Sequence, residues 1–295
     1  MDYMLIDLIK LLRPQQWYKN LVVFIGIIFS GNLFSAEMLW RVVAAFFLIS
    51  LMSGVNYIIN DIKDSEKDRL HPTKKNRPLP AGKISKTAAG IFSAAIFLAV
   101  SYFSFMLSEN LFYILILFFL LGLAYTFYLK NIFLVDIIAI SINFVLRAIM
   151  GVAVINASNS TWLIIMAFLF ALVLATTKRK GEIYLLGRLA TAHRKNLMEY
   201  DSEFLNYISI FSLTSLFLSY AVYAVIVKAG TYFSITLPIV VYIIFRYLHM
   251  MIKSPEELAH PEKFLFNPSI IFAGCMLAVL VFSIFYLPIP QLIKT

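Results

Sequence analysis

A chain of 295 residues that is 61% hydrophobic and only 14% charged, with 27 Phe and 16 Tyr, is too apolar for an ordinary soluble domain, where about a quarter of residues carry charge. Its net charge of +9 does not point to nucleic acid, because the bases sit in a few segments between apolar runs rather than along one stripe. One cysteine, Cys275, excludes an internal disulfide and any cysteine-based metal centre.

Residues 1–16 mix apolar residues with Asp2, Asp7 and Lys10 at helical spacing up to Pro14, which predicts a short interfacial helix. No small-residue cleavage site follows a compact apolar core, so a cleaved leader is not expected. Apolar runs then recur near 20–36, 39–59, 87–107, 111–129, 132–155, 161–177, 204–227, 232–252 and 268–287. Each is close to the length that a hydrocarbon core of about 30 Å demands of a helix. Backbone groups in lipid must be satisfied internally, and the alternation of a membrane barrel is absent, so the expected fold is an all-α integral membrane bundle of nine spans. The first span is interrupted by Ser30, Gly31, Asn32 and Glu37.

If the N-terminus is cytoplasmic, the inner segments hold 21 of the 25 Lys and Arg residues, and the reverse orientation would put nearly all of them outside. The excess of bases on inner loops therefore sets the topology, with the N-terminus inside and the polar chain length on the cytoplasmic face. Residues 1–295 read as one transmembrane domain, with chemistry expected in the inner loops 60–86 and 178–203.

The stretch NDIKDSEKDRLHPTKKNRPLPAG, residues 60–82, packs four acids and six Lys or Arg residues into an otherwise apolar chain. Asn60, Asp64 and Asp68 are spaced i, i+4, i+8, and Asp61 and Asp68 are seven apart. A helix continuing past Asn60 would therefore carry all four on one face within about 100°. Two readings are open from spacing alone: a solvated basic loop, or a site where clustered carboxylates hold a cation. Oxygen-only ligands suit Mg²⁺, which joins one or two carboxylates to substrate phosphates. Lys67, Arg69, Lys74, Lys75 and Arg77 could then meet the phosphate oxygens. The acids also begin at the end of an apolar span, where an unpaired charge is costly.

NDIKDSEKD resembles the N-D-x-x-D-x-x-x-D signature of the UbiA-type superfamily of intramembrane prenyltransferases, and DRLHPTKKNRPLPAG is similar to the extension that follows it. The resemblance covers essentially the whole chain. It implies a nine-helix bundle open to the cytoplasm, with Asn60, Asp61, Asp64 and Asp68 holding Mg²⁺ and a diphosphate. A second D-x-x-x-D motif, common in aromatic prenyltransferases of the superfamily, is missing. Lys178, Arg179, Lys180 and Glu182 stand in that region, with Arg194 and Tyr200 beyond. This pattern, with RPQQWYKN (13–20), VDIIAISINFVLRAIMG (135–151), KRKGE (178–182) and HRKNLMEY (193–200), resembles the polyprenyl-phosphate (decaprenyl-phosphate) phosphoribosyltransferase branch. The implied donor is phosphoribosyl pyrophosphate (PRPP) and the implied acceptor a polyprenyl phosphate, with Lys67, Lys74, Arg77, Lys178 and Arg179 sharing phosphate charge.

Other polar residues have two readings each. Arg147, mid-span, either meets a phosphate or forms an internal ion pair with Asp136. Tyr125 and Lys130 resemble a Tyr/Lys pair of the family but also fit an interfacial anchor, and Lys19 could hold a lipid phosphate or sit in the interfacial belt. Asn56 and Asn143 read as helix-helix contacts. The competing functions are an aromatic prenyltransferase using a polyprenyl diphosphate and, from a different class, a secondary transporter, which would place its charges nearer the bilayer midplane. The expected partners are the two substrates and the bilayer, with no nucleic acid; a homo-oligomer is admissible. The expected location is the cell membrane of a bacterium or archaeon.

Overall fold

The structure, a computed structural model, describes residues 2–70, 74–158, 160–186, 197, 199–227, 232–254, 258, 263 and 266–287. Its helices are α1 (Asp2–Leu11), α2 (Ile25–Phe29), α3 (Ala36–Arg69), α4 (Lys86–Leu107), α5 (Glu109–Phe127), α6 (Val135–Ala153), α7 (Thr161–Leu186), α8 (Ser202–Val222), α9 (Leu237–Lys253) and α10 (Pro268–Tyr286). Eight helices among the described residues are long and apolar enough to cross a membrane. Several start at the residue their sequence dictates: Ser35, Ser85, Ser108, Asp201 and Asn267 each accept a backbone N–H from the first turn, which satisfies a donor that helix geometry leaves open.

The first expected span takes a different form. Instead of one helix over 20–36, a 3-10 segment (Pro14–Phe24) leads into the five-residue α2, and the chain turns at Gly31 with φ +75°. Close contacts accompany the tighter winding. A Cβ on Gly151 would fall 1.9 Å from the carbonyl oxygen of Val23, and one on Gly26 would fall 2.8 Å from a methyl of Val152. Small residues allow this approach, as is usual where lipid removes the hydrophobic drive between helices.

The chain clusters into two compact units, residues 1–130 with 145–159, and residues 131–144 with 160–295; α6 contributes its first half to the second and its second half to the first. The core of the first gathers Ile49, Met52 and Val55 of α3, Leu111, Leu115 and Phe118 of α5, Met150 of α6, and Val154 just after it. Beside it, Leu11 and Leu12 pack with Ile58, Leu79 and Ile84, which ties the N-terminal segment to the polar end of α3. The second unit is built around Val173, Leu213, Tyr247 and Met251, and around Ile137, Ala175, Tyr200 and Leu205. Phe103, Phe211, Ile226, Phe272 and Val279 face outward and exposed, the arrangement of helices that are apolar all round and solvated by lipid.

Candidate active site

Helix α3 runs 34 residues, well past its apolar portion, and carries Asn60, Asp61, Asp64 and Asp68 on its last three turns. The neighbours divide the four into two pairs. Asp61, 2% exposed, accepts from Arg13 Nη2 at 2.5 Å and from Arg77 Nη1 at 3.0 Å, both on Oδ1. Arg77 Nη1 also donates to Asp68 Oδ2 at 2.8 Å, and Lys74 Nζ lies 3.8 Å from Asp68 Oδ1. One guanidinium thus bridges the two acids that are seven residues apart. Asp64, 21% exposed, receives Lys130 Nζ at 2.6 Å, and the same nitrogen lies 3.4 Å from Asn60 Oδ1. Burial and the neighbouring positive charge of Arg13 push Arg77 below the ordinary guanidinium range, while Asp61 and Asp68 pull the other way; it stays charged, as arginine does in proteins.

Lys130 reaches this position because its loop is clamped. Lys63 Nζ donates to the backbone carbonyls of Thr126 and Phe127 at 3.1 and 3.2 Å and lies 4.2 Å from the centre of the Phe127 ring. These are the open carbonyls of the last turn of α5, a position that favours a cation. Tyr125 stands half-buried on the same turn. Lys67 is exposed and, among the described residues, pairs with none of the three aspartates.

Does this donor set suit a divalent cation? Asn60 Oδ1 and Asp64 Oδ2 converge on one point, where the Lys130 ammonium provides positive charge. One turn deeper on the same stripe, Asn56 Oδ1 is buried without a hydrogen-bond partner among the described residues, its amide pressed against Gly122. An oxygen-only set with one carboxylate fits Mg²⁺, which takes its remaining ligands from water and phosphate. No group of three or more His, Cys, Asp or Glu side chains gathers among the described residues. Of the four expected ligands, Asn60 and Asp64 share the Lys130 ammonium, whereas Asp61 and Asp68 pair with guanidinium groups.

Deeper in the first unit, Arg147 Nε donates to Asn20 Oδ1 at 2.7 Å, and Asn20 Nδ2 donates to Ser50 Oγ at 2.9 Å. The guanidinium lies 4.8 Å from the centre of the Phe118 ring. Lys19, one residue earlier, stands 5.8 Å from the ring centre of Tyr18. Asp136, the alternative partner for Arg147, is occupied elsewhere.

In the second unit, Arg179 is 1% exposed and donates from Nε to Asp136 Oδ2 at 2.7 Å and from Nη1 to Glu182 Oε2 at 2.6 Å. Tyr200 Oη donates to Asp136 Oδ1 at 2.5 Å and accepts from the backbone N–H of Leu134 at 3.0 Å. Burial, then the Asp136 carboxylate, push the Tyr200 phenol above its ordinary range. Two acids on one arginine enclose its charge. Arg179, expected to meet phosphate, is paired with both acids, as a buried charge requires. Lys178 is exposed; Arg194 lies outside the described residues.

Eight membrane-length helices and a cluster of charged side chains at the end of one of them define a multi-pass membrane protein. The profile of the UbiA prenyltransferase family matches residues 21–271, and the chain belongs to that family. A decaprenyl-phosphate phosphoribosyltransferase of Mycobacterium tuberculosis (strain ATCC 25618 / H37Rv) is 34% identical over 223 residues, 73% of each chain. One from Corynebacterium glutamicum is 32% identical over 221 residues, 73% of this chain and 66% of that one. Among solved structures, a UbiA homolog from Archaeoglobus fulgidus bound to GPP and Mg²⁺ shares the fold, with a TM-score of 0.73 at 19% identity over 95% of this chain and 99% of that one.

Proposed function

We propose that the chain transfers the 5-phosphoribosyl group of PRPP to a polyprenyl phosphate of the decaprenyl type, releasing pyrophosphate and forming polyprenylphosphoryl-5-phosphoribose. The observation that carries this reading is the 32–34% identity, over about three quarters of the chain, to proteins bearing that activity's name. Charge supports it independently. Asp61, Asp64 and Asp68 are matched by Arg13, Lys74, Arg77 and Lys130, so the cluster is net positive before any metal is added. Such a site suits a polyanionic donor.

Asn60 and Asp64 would hold Mg²⁺, which when bound neutralises the leaving pyrophosphate. Arg77, oriented by Asp61 and Asp68, would take diphosphate oxygens through its planar fork, with Lys74, Lys67 and Lys130 adding charge. The C1–O bond to pyrophosphate breaks as an ionised oxygen of the lipid phosphate bonds to C1. That oxygen is already anionic at neutral pH, so no strong general base is needed. Arg147, held by Asn20, would bind the acceptor's phosphate, with Lys19 and Tyr125 along its path; Lys178, Glu182, Arg194 and Tyr200 would be further substrate-binding residues.

The reading takes residues 1–295 as one transmembrane domain with loops 60–86 and 178–203 facing the cytoplasm and the N-terminus inside, in a bacterial or archaeal cell membrane. The segment 14–29 would make a ninth crossing: 11 residues at the 3-10 rise of about 2.0 Å and five at about 1.5 Å cover roughly 30 Å. Purified protein incubated with ribose-labelled PRPP, polyprenyl phosphate and Mg²⁺ should yield a labelled lipid. Labelled polyprenyl diphosphate with aromatic acceptors should yield no product. The reverse outcome would transfer the assignment to aromatic prenylation.

A further inference from the structure

We propose that Arg13 is a ligand for the donor's diphosphate, held ready by Asp61, an inference that rests on the phosphoribosyl-transfer reading above. Arg13 lies 48 residues from its partner in sequence, outside the acidic motif and its basic extension. Yet it reaches the same carboxylate oxygen that Arg77 uses. Arg77 is shared between Asp61 and Asp68, and Lys74 also stands by Asp68, so with Arg13 the two acids face three cations, one more than charge balance needs. Besides Asp61, Arg13 meets the Tyr57 ring at 4.8 Å from its centre. Among the described residues its Nε and Nη1 groups donate to no side chain, which leaves edges of the fork for an incoming anion.

The backbone supports a built position. Arg13 has φ 51° and ψ 62°, a left-handed conformation, and the next residue is Pro14. A non-glycine residue there costs about 1–2 kcal/mol, and a following proline normally pushes its predecessor to extended conformations. Strain of this kind persists where surrounding packing enforces it, and it concentrates at functional positions. The enforcement here is visible. Leu12 is buried, and its Cα would lie 3.2 Å from a Cβ built on Gly54 of α3. The strap is pinned to the helix that bears the acids, one residue before the arginine. A residue needed only to balance Asp61 could do so from relaxed backbone.

The test uses the full chain in nanodiscs. Binding of inorganic pyrophosphate with Mg²⁺ is measured by calorimetry, and KM is measured for PRPP and for polyprenyl phosphate separately. Arg13→Gln removes the fork and should weaken pyrophosphate binding and raise the donor KM in parallel by about tenfold or more, the loss of one charge-assisted hydrogen bond. The acceptor KM should stay within about twofold. Gly54→Ala changes no charge, but its Cβ would meet Leu12 Cδ2 at 2.6 Å, so it should displace the strap and give the same donor-selective defect in weaker form. Arg13→Lys keeps the charge without the fork and should fall between wild type and Arg13→Gln. Wild-type pyrophosphate affinity in Arg13→Gln would overturn the proposal, as would an equal loss for both substrates, the mark of a structural role. If Arg13→Gln does not fold, wild-type affinity in folded Arg13→Lys and Gly54→Ala would overturn it. A wild-type protein that binds no pyrophosphate would remove the parent reading as well, so the two failures separate.

Discussion

Asp61 and Asp64, three residues apart on α3, should respond differently to replacement by alanine, one chiefly in stability and the other chiefly in activity. Asp61 is 2% exposed and accepts from two guanidinium groups. Removing one partner of a buried ion pair costs about 3–5 kcal/mol. Arg13 and Arg77 retain 17% and 29% side-chain exposure, and Arg77 keeps Asp68 at 2.8 Å, so the lower end applies, about 3 kcal/mol. Asp64 is 21% exposed and holds one ammonium, a pair worth about 1 kcal/mol. At roughly 2–4 °C per kcal/mol, the expected falls in midpoint are about 6–12 °C for Asp61→Ala and about 2–4 °C for Asp64→Ala. Phosphoribosyl transfer should be lost in Asp64→Ala, while Asp61→Asn, which keeps an acceptor oxygen, should retain measurable transfer. The assay is thermal unfolding in one detergent at a fixed scan rate, because membrane proteins commonly unfold irreversibly, with transfer measured on the same preparations. A larger stability loss in Asp64→Ala, with transfer retained, would refute the division of roles.

Asn20→Ala should raise the KM for polyprenyl phosphate about tenfold or more while leaving the PRPP KM unchanged, since it frees Arg147 from its 2.7 Å hydrogen bond; a donor-selective effect would reassign Arg147. Lys63→Met should cost about 1 kcal/mol and raise amide exchange around 125–131, because it uncaps α5 and releases the loop that carries Lys130; unchanged exchange there would remove the clamp. The Tyr200 phenol is raised in the folded state, so the native protein keeps its proton at pH values where the unfolded chain, near pH 10, loses it. Its contribution is fully present below about pH 10 and falls as pH rises beyond that. The loss of stability above pH 10 should therefore be shallower in Tyr200→Phe than in wild type, and equal slopes would contradict it.

Most of the fold was legible because a membrane helix announces itself by length and apolar content. Six predicted spans end within a few residues of helices or of the irregular turns that extend them, while α3 and α7 run about ten residues past the predicted 39–59 and 161–177. The exception is instructive. The 20–36 span holds a 3-10 segment whose Val23 and Gly26 lie close against Gly151 and Val152, far away in sequence, and no local pattern encodes that. The acidic face of α3 was readable from spacing, since 60, 61, 64 and 68 fall within one sector of a helical wheel. Its division was not. Arg13 and Lys130 reach Asp61 and Asp64 across 48 and 66 residues, and the sequence offers more bases than acids to choose from. Asp136 shows the same limit: an acid in a span demands a cation, and both Arg147 and Arg179 were available. The only signal favouring Arg179 is that Glu182, three residues on, makes it the centre of a pair of acids.

The central claim is that this chain joins a ribose phosphate to a lipid phosphate. Mass spectrometry of the lipid after one turnover with PRPP and Mg²⁺ tests it most directly. The expected product is polyprenyl phosphate heavier by a single phosphoribosyl residue, with one pyrophosphate released per lipid and neither formed when EDTA replaces the metal. An unaltered lipid beside intact PRPP, from protein that is folded and membrane-embedded, would contradict it.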